Sequence, residues 1–204
     1  MKVISFVTQK GGSGKTTLAI NCSVIAAAGR GVRVLIFDID NQASAENWYQ
    51  SREADKPQLV SITAAELPKA IDLAAKQFDF VFIDTPGRDE PAQALAIGKS
   101  DFCIIPCRPS PTDLQATPAT VATVKRLGKP FAFVLTQTPA RSFRTSEAAA
   151  ALAKLGDVCP VSIVTRNAYQ DAQGLGLGVS EFEPKGKAAE ETKLLWKWIQ
   201  RKAK

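Results

Sequence analysis

The chain has 204 residues, 45% of them hydrophobic and 23% charged, a balance that suits one globular domain spanning 1–204 with a sizeable core. It has no histidine, which excludes Ser-His-Asp and Cys-His catalysis and every histidine metal site, so any chemistry must run on lysine, carboxylate, hydroxyl and a bound ion. No apolar run reaches the roughly 18 residues of a transmembrane helix, and the net charge of +6 is concentrated near the C-terminus.

The first predicted element is a buried strand, Lys2-Val3-Ile4-Ser5-Phe6-Val7, which starts too early to leave room for a signal peptide. Lys10-Gly11-Gly12-Ser13-Gly14-Lys15-Thr16-Thr17 follows it. Glycines without a Cβ let backbone N–H groups approach a polyphosphate closely, Lys15 reaches the β- and γ-phosphates, and the Thr16 hydroxyl can ligate Mg²⁺. Leu18, Ile20, Cys22, Ile25 and Ala26 then describe a helix that stops at Gly29 and Gly31, with its positive N-terminus at the anion. The general phosphate-loop pattern starts with glycine. Here that position is Gln9, and a second lysine, Lys10, comes next.

Val32 to Phe37 reads as a second strand ending in Asp38-Ile39-Asp40-Asn41-Gln42, whose two carboxylates can share one side of the strand. Asp38 is a candidate for the Mg²⁺ shell. Asp40 either acts at the phosphates or only caps a helix over Gln42 to Gln50. A short strand at Leu59 to Ile62, a helix at Ala64 to Lys76 and a strand at Phe80 to Ile83 come next. The last of these ends at Asp84, where a Walker B carboxylate would reach Mg²⁺. Strands at Phe102 to Pro106, Phe131 to Thr136 and Val158 to Val164 alternate with helices at Asp113–Leu127 and Thr145–Leu155. This alternation predicts an α/β fold, a mostly parallel twisted sheet with helices on both faces. Ligands of such sheets sit beyond the carboxyl ends of the strands, so Thr8, Asp38 and Asp84 should converge. Cys22, Cys103, Cys107 and Cys159 form no CxxC and suit buried thiols in a reducing cytoplasm. In the C-terminal tail Lys185, Lys187, Lys193, Lys197, Arg201, Lys202 and Lys204 outnumber Glu190 and Glu191. This makes either a DNA-facing surface or a solvated helix face.

With Lys10 before the glycines, the loop resembles the deviant Walker A motif of the ParA/MinD family of P-loop ATPases, and Asp38-Ile39-Asp40-Asn41-Gln42 resembles that family's D-x-D-P-Q with Asn41 in place of proline. The resemblance runs through nearly the whole chain. Ile104 to Leu114 looks like the family's strand and proline-rich segment, though a Pro-Ser-Pro run also suits a surface turn. The nearest likeness is to short ParF-type partition proteins, which lack a helix-turn-helix, so a sequence-specific repressor is not expected.

The resemblance implies ATP and Mg²⁺ as cofactors, slow hydrolysis stimulated by a ParB-like or centromere-binding partner, and an ATP-dependent homodimer on non-specific DNA. It implies a cytoplasmic, nucleoid-associated protein that moves a plasmid, chromosomal or other cargo. It gives Lys15 its own nucleotide, Lys10 the partner's, and Asp40 the attacking water. Arg141, Arg144, Arg166, Lys193, Lys197, Arg201 and Lys202 are the candidate DNA contacts. The rival of another class is a MinD-like membrane ATPase, suggested by the basic amphipathic Lys193 to Lys202. However, Leu194, Leu195, Trp198 and Ile199 make a stripe that packing on the sheet also needs, so no stable membrane association is expected. A GTPase is disfavoured because N-K-x-D is absent, and an iron–sulfur protein because no loop cysteine pair stands out.

Overall fold

A computed structural model describes residues 1–203; Lys204, counted above in the basic tail, lies outside the described residues. Its centre is a seven-stranded sheet in the order β3-β2-β4-β1-β5-β6-β7, every pair parallel. The strands are β1 (Lys2–Phe6), β2 (Val34–Asp38), β3 (Gln58–Ser61), β4 (Phe80–Asp84), β5 (Phe102–Cys107), β6 (Phe131–Leu135) and β7 (Asp157–Val158). β1, β2, β4 and β5 are almost wholly buried, as their unbroken apolar runs require when both faces are covered.

One face carries α1 (Lys15–Ala27), α2 (Ser44–Gln50), α7 (Asn167–Gly174), α8 (Val179–Phe182) and α9 (Lys187–Lys202) over Ile4, Phe6, Ile36 and Phe82. The other carries α3 (Leu67–Ala74), α4 (Glu90–Lys99), α5 (Pro111–Arg126) and α6 (Phe143–Ala153) over Val3, Leu35, Val81 and Ile105. Alternate residues of β1 therefore serve opposite cores, the period-two consequence of the pleat. All four cysteines are buried and free.

Three expectations need correction. The strand expected over Val158 to Val164 is only two residues long, because Pro160 interrupts the ladder; a single bridge, Thr138 to Val164, resumes it. Thr165 to Ala172, which resembles a late loop of the family carrying an arginine, is for the most part helical, as the start of Asn167–Gly174. In α9, Leu195, Trp198 and Ile199 are buried as expected, but Leu194 is 49% exposed and Trp196 is buried instead, alongside Ala188 and Thr192. Trp196 meets Phe80 edge-on at 5.1 Å and lies 5.4 Å from Phe82. The apolar face of α9 is thus spent on the sheet, as a 3.6-residue period demands. Among the described residues no helix is long and apolar enough to cross a membrane.

Candidate nucleotide site

The site forms where β1, β2 and β4 end. Residues 7–14 connect β1 to α1 in a loop that needs left-handed backbone at Gly12 (φ 69°) and Gly14 (φ 96°), conformations costly to residues with a Cβ. Gly14 is the N-cap of α1, so the first N–H groups of the helix point out of the loop without internal partners. The loop is held from outside by two residues following β6. Thr136 Oγ1 donates to the Ser13 carbonyl at 2.7 Å, and Gln137 Nε2 donates to the Gly12 carbonyl at 2.7 Å. Buried Gln93 of α4 ties the end of β1 to the end of β4, donating to the Thr8 carbonyl at 3.1 Å and the Pro86 carbonyl at 2.7 Å. A Cβ on Gly87 would come within 3.2 Å of Gly11 Cα and 3.4 Å of Lys15 Nζ, so the chain passes close against the loop here and a larger residue would push on it. Gln93, Thr136, Gln137 and Gly87 were missed in the sequence. Gln137 lay within reach of the strand-end rule applied to β6, whereas nothing local marks Gln93.

These walls enclose an open cavity of about 760 Å³ lined by Gly11 to Thr17, Asp40 to Gln42, Pro86 to Asp89 and others. Lys15 is 7% exposed, with Nζ 3.5 Å from the Lys10 carbonyl. Burial lowers its pKa, and the charges of Asp84 and Asp40 oppose that shift, so both carboxylates act on this ammonium. A smaller cavity of about 170 Å³ adjoins the loop at Gly14 and Thr17 and is bounded by Gln137, Thr165, Arg166 and Tyr169.

The carboxylates differ. Asp84 is fully buried and neither oxygen has a hydrogen-bond partner of good geometry. Burial pushes its carboxyl up to about 7, with the Thr16 hydroxyl and the Lys15 charge opposing the shift and Asp38 and Asp40 reinforcing it. Two orphaned oxygens beside a threonine hydroxyl and a helix N-terminus make a hard, anionic donor set that fits Mg²⁺. Among the described residues no cluster of three acidic, cysteine or histidine side chains forms a cage. A cation here would therefore need phosphate and water oxygens as well.

Asp38 stands in a different setting. Its Oδ1 accepts the Asp40 N–H at 3.0 Å and its Oδ2 the Glu46 N–H at 3.1 Å, so the carboxylate of the proposed Mg²⁺ ligand is engaged by backbone. Burial raises its pKa and those N–H bonds oppose the rise. The helix-start role weighed for Asp40 thus belongs to Asp38. Asp40 instead accepts the Gln42 N–H at 3.0 Å in its own turn, which the Ala43 N–H closes on the Asp40 carbonyl at 2.8 Å, and it lines the cavity.

The basic candidates differ in whether their charge is already paired. Arg166 is ion-paired with Glu191, Lys202 binds Asp157 at 2.6 Å, and Lys193 donates to the Pro184 carbonyl at 2.8 Å. Arg141 and Arg144 stand exposed near the start of α6, and Lys197 and Arg201 on the outer side of α9; none of the four has an ion pair among the described residues.

Comparison with known proteins gives a consistent result. The family profile of the CobQ/CobB/MinD/ParA nucleotide binding domain matches residues 4–183. "Maintenance of carboxysome distribution protein A" of Halothiobacillus neapolitanus is 33% identical over 200 residues, covering 91% of this chain and 90% of that protein. The "Sporulation initiation inhibitor protein Soj" of Bacillus subtilis is 31% identical over 128 residues, 53% of this chain and 50% of Soj. Among solved structures, the septum site-determining protein MinD of Pyrococcus horikoshii with Mg-ADP superposes with a TM-score of 0.82 at 20% identity, covering 98% of this chain and 96% of that one.

Proposed function

The chain belongs to the CobQ/CobB/MinD/ParA nucleotide-binding domain family, whose ParA and MinD members are ATPases, and from that premise we propose a ParA-type, Mg²⁺-dependent ATP hydrolase that positions cargo. The ATP-bound form is a homodimer that binds DNA without regard to sequence, and a ParB-like or other cargo-bound partner stimulates its slow hydrolysis. The single observation carrying this reading is the glycine loop with two lysines: Lys15 is buried at its floor, and Lys10 is half-buried with its ammonium free of any ion pair among the described residues.

In this reading the loop N–H groups from Gly11 to Thr17 and Lys15 hold the phosphates, while Lys10 reaches those bound by a second subunit. Thr16 and Asp84 hold Mg²⁺, which when bound neutralises charge on the phosphate oxygens. Asp40, pinned by its own turn at the cavity wall, orients the attacking water. The 33% identical carboxysome-distribution protein supports cargo positioning, leaving a plasmid, a chromosomal locus or a protein shell as the cargo class. Arg141, Arg144, Lys197 and Arg201 are the proposed DNA contacts with free charge; Arg166, Lys193 and Lys202 already have partners. The MinD-like membrane reading gains no support, since the apolar stripe of α9 is packed on the sheet.

The experiment is light scattering and ATP turnover on three variants. Lys15→Ala should lose nucleotide binding. Lys10→Ala should bind nucleotide but not dimerise with ATP. Asp40→Ala should bind ATP, hydrolyse it poorly and accumulate as dimer. Normal dimerisation by Lys10→Ala would sink the reading.

A further inference from the structure

Gln93 joins two strands at the point where the sheet stops doing so. β1 and β4 pair in parallel as far as Phe6 and Asp84. Beyond that pair the chains run on through Val7-Thr8 and Thr85-Pro86, and Pro86 has no N–H with which to continue the ladder. Gln93, 3% exposed in α4, supplies a rung from its side chain. Its Nε2 donates to the Thr8 carbonyl at 3.1 Å and to the Pro86 carbonyl at 2.7 Å, which uses both hydrogens of the amide. α4 is itself fixed at this end. Asp89 caps it by accepting the Ala92 N–H at 3.0 Å, and Glu90 accepts Gln9 Nε2 at 2.8 Å.

The rung positions the residue that follows Pro86. Gly87 lies against the phosphate loop, where an added Cβ would stand 3.2 Å from Gly11 Cα and 3.4 Å from Lys15 Nζ. Its N–H has no acceptor among the described residues. Gly87 and the Lys15 ammonium thus share one corner of the cavity. Lys15 is the group that reaches the outermost phosphates, so a third phosphate would fill that corner and a diphosphate would leave it open. An N–H donor helps there only if it is already in place, because a misplacement of about 1 Å can cost on the order of 100-fold in rate. Without the amide, the Thr8 and Pro86 carbonyls lose their donor in the interior and Gly87 is free to relax away from the loop.

We propose that Gln93 is a positioning residue that gives the site its preference for a third phosphate. Its amide fixes Pro86 and Gly87 against the loop, so the corner beside Lys15 is formed before the nucleotide arrives. The side chain is not part of the cavity lining and acts through the backbone it holds. This deepens the ATPase reading above and rests on it.

The test compares wild type, Q93M and Q93N by calorimetry with Mg-ADP and with the non-hydrolysable imido analogue of ATP, and by ATP turnover. Q93M keeps the length and the burial without the donors. It should bind ADP nearly as wild type does and bind the analogue about tenfold more weakly. Its kcat should fall on the order of 100-fold, more than its KM rises. Q93N, whose amide is a methylene short of spanning both carbonyls, should change in the same direction to a smaller extent and serves if Q93M does not fold. Wild-type preference and turnover in these variants overturns the proposal. So does equal weakening of ADP and analogue, which would make Gln93 part of the general frame of the pocket.

Amide NMR of Gly87 gives a readout that needs no turnover. In the nucleotide-free protein its signal should move in Q93M. In wild type it should shift with the analogue and stay in place with ADP. A Gly87 signal unmoved in free Q93M, or one that answers ADP and analogue alike in wild type, overturns the proposal. If wild type turns over no ATP, the ATPase reading fails, and the free-protein signal still decides whether Gln93 fixes Gly87.

Discussion

Asp38 ends β2 and Asp84 ends β4, and the two are register partners across adjacent parallel strands. Both are buried, both follow an apolar run, and both have raised pKa values. Their surroundings separate them. α2 starts at Ser44, shortly after β2, and its Glu46 N–H together with the Asp40 N–H of the connecting loop points onto Asp38, so that carboxylate is an acceptor for backbone. β4 leads instead into Thr85, whose hydroxyl turns away to the Phe6 carbonyl at 2.7 Å, and Pro86, which has no N–H to offer. Asp84 is left without a backbone donor, with only the Thr16 hydroxyl and the Lys15 charge acting in its favour. A carboxylate satisfied by backbone maintains a loop, whereas one left unsatisfied in the interior is held ready for a ligand.

The sharpest way to break that contrast is to remove each charge. Asp84→Asn should lower Mg²⁺-dependent ATP turnover on the order of 100- to 1,000-fold, the scale for losing one charge-stabilising group. The same change should raise the melting temperature of the metal-free protein, worth about 1 kcal/mol or more, because an unpaired amide costs less to bury than an unpaired carboxylate. Equal loss of turnover and of apoprotein stability would mean that Asp84 is structural after all.

A pH series sharpens the contrast at intermediate size. Both groups have folded pKa values above the unfolded value of about 4, so across that range the native state holds more protons than the unfolded one. Stability of the metal-free protein should therefore be fullest below about pH 4 as far as these two groups are concerned, and should fall as pH rises towards 7. Denaturant midpoints in EDTA at several pH values would show it. Asp84→Asn should flatten most of the slope, and a slope that rises with pH would contradict the assignment.

Asp38→Ala should have the smallest effect on chemistry and the clearest on folding. It leaves the Asp40 and Glu46 N–H groups without their acceptor, at a cost of about 1–2 kcal/mol by urea unfolding. Turnover should drop severalfold, by displacement of Asp40. If its turnover fell as far as that of Asp84→Asn while stability held, Asp38 would belong to the metal shell as first expected.

Much of this site was legible in the sequence because it is built from contiguous chain. The spacing of Lys10, Gly14, Lys15 and Thr16 and the apolar run before Asp84 are local patterns with local causes. The division of labour between Asp38 and Asp40 was not, since the i, i+2 spacing is compatible with either one reaching backward to helix α2. Likewise the stripe on α9 kept Leu195, Trp198 and Ile199 but exchanged Leu194 for Trp196, because both fit the same amphipathic segment and only contact with Phe80 and Phe82 selects one.

By itself, then, the sequence determined the alternation of strands and helices, the phosphate loop and the strand-end positions of Thr8, Asp38 and Asp84. These follow from hydrophobic period, glycine conformations and chain continuity. The tertiary structure alone decided which carboxylate remains unpaired, which residues after β6 and in α4 brace the loop, and that Arg108 pairs with Asp113. Those outcomes depend on partners up to 125 residues away. Hydrogen-bond satisfaction and charge pairing are properties of neighbours in space, which no local pattern encodes.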